Sequence, residues 1–398
     1  MNPREMIEKL IAFDTVSRKS NLALIDYVRD YLDGFGVQSH LVSSDDGQKA
    51  NLYATVGPMI EGGVVLSGHT DVVPVDGQPW ESDPFRVVER DGKLFGRGTC
   101  DMKSFYAIAL ALLPEMNKLQ KPIHFALSYD EEVGCKGAPR MIRQIAANLP
   151  RPEAVIIGEP TEMRVVTAHK GITSVHTVVT GHEAHSSQTH RGVSAVMTAA
   201  KLIDWLGEQA RQRCEHGPHD TEFEPPYTTV HVGTVKGGTA VNIISRHCEF
   251  GWDVRHIPGD DPDAIVAAFR RYCEDTIEPA MRAVAPETGI RTEIDVQAPA
   301  LQHEADNAAI QLAKSLTGQN DTYRVPFATE GGQFQQAGLS AVVCGPGSID
   351  QAHQPNEYIA LDQVEAGISF EWDAKENFST KISRMIMKYN ISTVRTLY

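Results

Sequence analysis

Apolar residues recur with helical spacing over residues 5–13 and 22–35, and Gly36 is placed to stop the second helix. Residues 38–42 and 51–56 alternate as strands do. The run Val64-Val65-Leu66 is apolar on both faces of a strand, the pattern expected where helices cover a sheet from both sides. An alanine- and leucine-rich helix over 104–113, a strand over 123–129, a helix over 139–148 and a second wholly apolar strand over 154–157 continue the alternation. Such alternation predicts the α/β class, a mixed and mostly parallel sheet layered with helices.

Near Gly171 the pattern changes. Residues 172–180 alternate apolar and polar, a helix is expected over 193–206, strands over 227–235 and 248–255, a helix over 263–274 and a last strand near 292–296. This order describes an α+β sandwich with an antiparallel sheet. We therefore expect an inserted domain at 172–292 within a first domain formed by 1–171 and 293–398. Helix 308–316 and strand 338–344 return to the βα alternation, and no internal repeat appears. From Lys375 onward apolar positions are scattered, without the amphipathic repeat of a docked terminal helix.

Size and charge narrow the function classes. A chain of 398 residues exceeds what one core usually supports, which agrees with two domains. With 37 basic and 52 acidic residues the formal net charge is −15, and there is no basic run, so neither nucleic acid nor an anionic membrane is expected as a partner. An anionic substrate remains compatible, because one local arginine outweighs a distant field. No apolar run approaches the roughly 20 residues that span a bilayer. The polar start lacks the apolar core of a signal peptide, and the six cysteines form no C-x-x-C pair. Together these predict a cytoplasmic protein with reduced thiols.

The candidate chemistry sits where strand-like runs end, the edge at which open α/β sheets place ligands. Val64-Val65-Leu66 leads into Ser67-Gly68-His69-Thr70-Asp71, residues 123–129 into Asp130-Glu131-Glu132, and residues 154–157 into Gly158-Glu159. Asp101 follows the loop Gly96-Arg97-Gly98-Thr99-Cys100, and His353 follows Gly345-Pro346-Gly347. His69 and Asp71 are two apart, so on an extended segment they point the same way; Asp71 can then orient a ligating imidazole directly or through the backbone. Glu131 and Glu132 diverge on an extended chain, which suits one as a metal ligand and the other as a general base. Each residue also has a plain reading: a solvated strand end for His69 and Asp71, a helix cap for Asp101, acidic turns for Glu131, Glu132 and Glu159, an exposed loop for His353. The glycine-rich loop before Asp101 is a weak phosphate-loop candidate, since no Gly-Lys-Ser/Thr follows.

In their joint order the motifs Ser-Gly-His69-Thr-Asp71-Val-Val-Pro, Gly-Arg-Gly-Thr-Cys-Asp101-Met-Lys, Asp-Glu131-Glu132-Val-Gly, Gly-Glu159-Pro-Thr and His353 resemble the dinuclear-zinc aminoacylase/carboxypeptidase superfamily, in its acetylornithine deacetylase and succinyl-diaminopimelate desuccinylase branch. The resemblance covers the chain to about residue 370. It implies a hydrolase with two zinc ions per subunit, cobalt being a possible substitute: one held by His69, Asp101 and Glu159, the other by Asp101, Glu132 and His353. It further implies Asp71 behind His69, Glu131 as general base, and His185 on the oxyanion from across a homodimer interface made by the inserted dimerisation (lid) domain. Asn242 and Arg255 are the implied substrate-binding residues, with the Arg255 fork suited to a carboxylate; the flexible loop Thr329-Glu330-Gly331-Gly332 is expected to line the same pocket through Thr329 and Gly331, its glycines being plain turn residues in the alternative reading. The implied substrate is an N-acyl amino acid, first N2-acetyl-L-ornithine, with succinyl-diaminopimelate or a broader range of N-acyl amino acids and dipeptides as alternatives. A non-catalytic binding module with the same fold is the reading from another class.

Overall fold

In the computed structural model, which describes residues 1–378, the run Val64–His69 forms a strand buried at every position. The tail after Lys375 therefore lies almost wholly outside the described residues. The strands, in chain order, are β1 (Ser39–Ser43), β2 (Ala50–Val56), β3 (Val64–His69), β4 (Val88–Arg90), β5 (Lys93–Phe95), β6 (Ile123–Ser128), β7 (Ala154–Ile157), β8 (Val166–His169), β9 (Gly171–Thr180), β10 (Thr229–Gly237), β11 (His247–His256), β12 (Gly289–Ala298), β13 (Tyr323–Val325), β14 (Ala341–Val343) and β15 (Tyr358–Ala360). The chain divides into two compact units. One comprises Met1–Ala168, His303–Tyr323 and the described residues from Thr329, the other His169–Gln302 and Arg324–Ala328.

Among the described residues, the large sheet has eight strands in the order β1-β2-β6-β3-β7-β14-β8-β13. Its centre is parallel, β6 with β3, β3 with β7, and β7 with β14. The β1–β2 and β2–β6 pairs at the flank are antiparallel. β3, β6 and β7 are buried along their whole lengths, as their mostly apolar runs require. Helix Lys103–Ala111, also buried at every residue, packs on β3 and against helices Pro3–Ile11 and Leu361–Asn377. Parallel pairing brings the carboxyl ends of β3, β6 and β7 to one edge: His69 lies opposite Ser128, and Ser67 opposite Ile157. Val343 at the end of β14 is level with Ile157.

The second unit holds an antiparallel sheet in the order β10-β11-β9-β12. β9 alternates buried and half-buried residues along its length, matching its alternating sequence. The buried side, with Val175, Phe250 and Trp252, forms a core with Leu202 and Leu206 of helix Ala195–His216 and Phe269 of helix Pro262–Tyr272. Helix Ala195–His216 outruns its apolar pattern because its last turns are held by exposed pairs of Arg211 with Glu208 and Glu215. β12 pairs with β9 from Gly289 to Ala298, with a register shift between Ile294 and Val296. Among the described residues no helix is long and apolar enough to cross a membrane.

Candidate metal centre

The last residue of β3 supplies the first donor. His69 is 1% exposed, and its Nε2 lies 3.0 Å from Asp101 Oδ1 and 3.6 Å from Glu159 Oε1. The other oxygen of Asp101 lies 3.4 Å from His353 Nε2, which is also 2.9 Å from Glu132 Oε2. One carboxylate thus stands between two imidazoles, each with a further carboxylate beside it. Donor atoms of His69, Asp101 and Glu132 all fall within 4.8 Å of one another, as do those of His69, Glu131 and Glu159.

Local backbone explains how strand ends deliver these groups. Gly158, between β7 and Glu159, has no room for a side chain: a Cβ would meet the Phe105 ring at 2.0 Å. Asp130 turns the chain after β6 with φ 57°, and Gly134 and Cys135 both donate to the Glu131 carbonyl at 2.8 Å. Glu131 and Glu132 are therefore in a turn, not on the extended segment expected from sequence, and both face the centre. The Asp71 carboxylate accepts their backbone N–H groups at 3.1 and 3.3 Å and the Ser17 hydroxyl at 2.7 Å. Asp71 reaches the imidazole of His69 chiefly through its backbone carbonyl, 2.9 Å from Nδ1, while its carboxylate oxygen is 3.8 Å away.

Asp101 does not cap a helix. The N-cap of Lys103–Ala111 is Met102, without a side-chain cap bond, and the Asp101 oxygens face the two histidines. The glycine-rich loop before it presents no vacant phosphate cradle either, because Glu357 accepts the N–H groups of Gly98, Cys100 and Asp101.

The electrostatics are those of a crowded anionic pocket. Burial raises the proton affinity of Glu131, Glu132 and Glu159, and neighbouring carboxylates, Asp101 among them, raise it further. Burial works against a charge on His69, but Glu159 and Asp101 outweigh it and push its pKa up. Hydrogen bonds to Asp101 and then Glu132 raise His353 to about 10. Asp101 itself is held below the usual carboxylate range: burial opposes its charge, and hydrogen bonds from His353 and His69 prevail. So many buried carboxylates around two imidazoles are stabilised most simply by cations.

The remaining candidates divide between the two units. Thr329 and Gly331 are buried, and the Thr329 hydroxyl accepts the Gly331 N–H at 3.0 Å. Between them Glu330, given no role of its own from sequence, is 2% exposed and accepts the Ser67 hydroxyl at 3.2 Å, and the stretch expected as a flexible loop instead opens the buried start of helix Gly331–Gln336. His185, Asn242 and Arg255 belong to the second unit. His185 bridges Ile243, beside Asn242, just before β11 begins. Arg255 pairs with Asp253 at the other end of β11, roughly 26 Å along the strand from His247 at about 3.3 Å per residue.

The sequence profile of peptidase family M20/M25/M40 matches residues 65–371. The acetylornithine deacetylase of Myxococcus xanthus is 34% identical, covering 91% of this chain and 93% of its own. That of Proteus mirabilis is 34% identical, covering 94% of this chain and 96% of its own. Among solved structures, an M20 family metallo-carboxypeptidase from Sulfolobus solfataricus superposes with a TM-score of 0.75 at 18% identity, covering 94% of this chain and 98% of its own. Human carnosine dipeptidase 1 superposes with a TM-score of 0.71 at 16% identity, covering 94% and 97%.

Proposed function

The chain belongs to peptidase family M20/M25/M40 and is a hydrolase of amide bonds; on that premise we propose that it removes the acyl group from an N-acyl amino acid, with N2-acetyl-L-ornithine as substrate, acetate and L-ornithine as products, and a pair of zinc ions as cofactor. The observation that carries this reading is Asp101, whose two oxygens face two separate imidazole–carboxylate pairs.

The donors fit the cofactor. A set of imidazole nitrogens and carboxylate oxygens suits zinc, and the same set accepts cobalt. His69 and Glu159 would hold one ion, Glu132 and His353 the other, and Asp101 would be shared. When bound, the ions polarise the scissile carbonyl and acidify water. Glu131 is the proton carrier in this reading: its backbone is fixed by Asp71, its Oε1 accepts the Cys135 thiol at 3.2 Å, and burial has raised its proton affinity. It takes a proton from the attacking water and gives it to the leaving amine. Asp71 acts by holding the His69 ring and the Glu131–Glu132 turn in place.

Asn242 and Arg255 are assigned to the substrate's α-carboxylate and His185 to the oxyanion. Asn242 lies before the start of β11 and Arg255 near its far end, so in this reading the two reach one carboxylate when one of them comes from a second copy. A homodimer through the second unit agrees with the exposed apolar side chains Met197, Val235 and Val241 there, which are 68%, 62% and 103% exposed. Six cysteines without a disulfide agree with a cytoplasmic location.

The test is kcat/KM on zinc-loaded protein for N-acetylornithine, N-succinyl-diaminopimelate and N-acetylmethionine. The highest value for N-acetylornithine is expected. A preference for the succinyl substrate would transfer the assignment to desuccinylation, and no turnover of any of the three would contradict deacylation.

A further inference from the structure

One oxygen of Glu357 accepts three backbone N–H groups, from Gly98 at 3.0 Å, Cys100 at 2.9 Å and Asp101 at 3.1 Å. Its other oxygen accepts Arg97 Nη1 at 2.7 Å, and both side chains are 1% exposed. The loop is thus a backbone nest of the kind that binds anions, and its anion belongs to the chain itself. Gly98 makes the curvature possible, with φ +87° and only 2.9 Å from a would-be Cβ to Val72 Cγ1.

The same ion pair reaches the His353 loop. Arg97 Nη1 also approaches the Gln354 carbonyl at 3.4 Å, and Nη2 donates to Gln78 Oε1 at 2.6 Å. Gln78 Nε2 in turn donates to the His353 carbonyl at 2.9 Å. The amide of Asp101 and the carbonyl of His353 are therefore tied to one buried pair. His69 and the approach to Glu159 are fixed independently, by the parallel pairing of β3 with β6 and with β7.

We propose that Glu357 is a positioning residue that holds the His353 loop through Arg97 and Gln78, and thereby sets the metal affinity of the half of the centre that His353 and Glu132 share with Asp101. The inference rests on the two-metal reading above. Charge is essential to the role. A carboxylate accepts all four donors in charge-assisted bonds, whereas an amide in its place turns an N–H₂ toward the Arg97 guanidinium, donor against donor. Arg97 then swings away, Gln78 Oε1 keeps only the Trp80 Nε1 donor at 3.0 Å, and the His353 loop is loosened.

The experiment is a calorimetric titration of metal-free protein with zinc for the wild type, Glu357→Gln and Gln78→Ala, with thermal melting and kcat measured on the same samples. Two ions per chain are expected for the wild type. In Glu357→Gln one site keeps its affinity and the other weakens about 10–100-fold, the usual effect of losing a group that orients a ligand; kcat falls with it while KM holds. Gln78→Ala weakens the same site by a smaller factor, and decides the matter alone if Glu357→Gln does not fold. Two unchanged affinities, or two affinities lowered equally with the melting temperature, would overturn the proposal. A wild type that binds fewer than two ions overturns the two-metal reading and this inference with it.

Discussion

Asp71 accepts the backbone N–H of Glu131 at 3.1 Å, so the residue two places after a metal-ligand candidate on β3 holds the turn that follows β6. Its second oxygen takes Glu132 N and Ser17 Oγ. Asp71→Asn replaces one acceptor by a donor facing a donor, which costs about 1–3 kcal/mol in a buried setting. We expect a lower denaturant midpoint and a kcat reduced about 10–100-fold, the range for lost support of a metal site. Steady-state kinetics on the metal-loaded variant check this, and an unchanged kcat would refute it.

Glu131 is assigned proton transfer and no share in holding His353 or Asp101. Glu131→Ala is expected to bind two metal ions per chain as the wild type does, while kcat falls about 10²–10⁴-fold. Metal analysis beside kinetics separates the two effects. Loss of an ion along with activity would make Glu131 a ligand instead.

Gly158 is required by packing. Its missing Cβ would sit 2.0 Å from the Phe105 ring, so Gly158→Ala should cost about 1–3 kcal/mol as an overpacked core does. Urea unfolding measures it. The displaced backbone carries Glu159, so kcat/KM should fall as well.

His124 yields a pH dependence away from the centre. Buried on β6, with Nδ1 2.9 Å from Thr55 Oγ1, its pKa is pushed down by burial to about 4 from 6.5. The folded chain keeps the ring neutral while the unfolded chain protonates it below about 6.5, so its contribution is whole above that pH and is lost as pH falls toward 4. Between pH 7.5 and 5 the loss is on the order of 2 kcal/mol. Urea midpoints at the two pH values should converge more in His124→Asn than in the wild type; equal drops would contradict the assignment.

The legible parts of the chain are those written in local periodicity. β3, β6 and β7 announce themselves because strands covered on both faces are almost wholly apolar until they end, His124 of β6 being an exception, and the donors lie at those ends. The convergence of Asp101 and His353 is visible only as motif order, since no spacing rule joins residues so far apart in sequence. The geometry of Glu131 and Glu132 departs from the extended-chain expectation because the turn is set by Asp130 in the left-handed region and by Asp71. Helix Leu361–Asn377 leaves no clear periodic signal because its buried side includes Gly367, Glu371 and Lys375 along with Phe370. Glu330 is legible only as part of a pocket-lining stretch and Glu357 not at all: a buried acid looks like a surface acid until its partners, Ser67 for one and Arg97 for the other, are brought beside it.

The most direct measurement is an anomalous difference map at the zinc edge from crystals of the zinc-loaded protein. Two peaks flanking Asp101 are predicted, one beside His69 and Glu159 and the other beside Glu132 and His353. A single peak, or peaks remote from Asp101, would contradict the account.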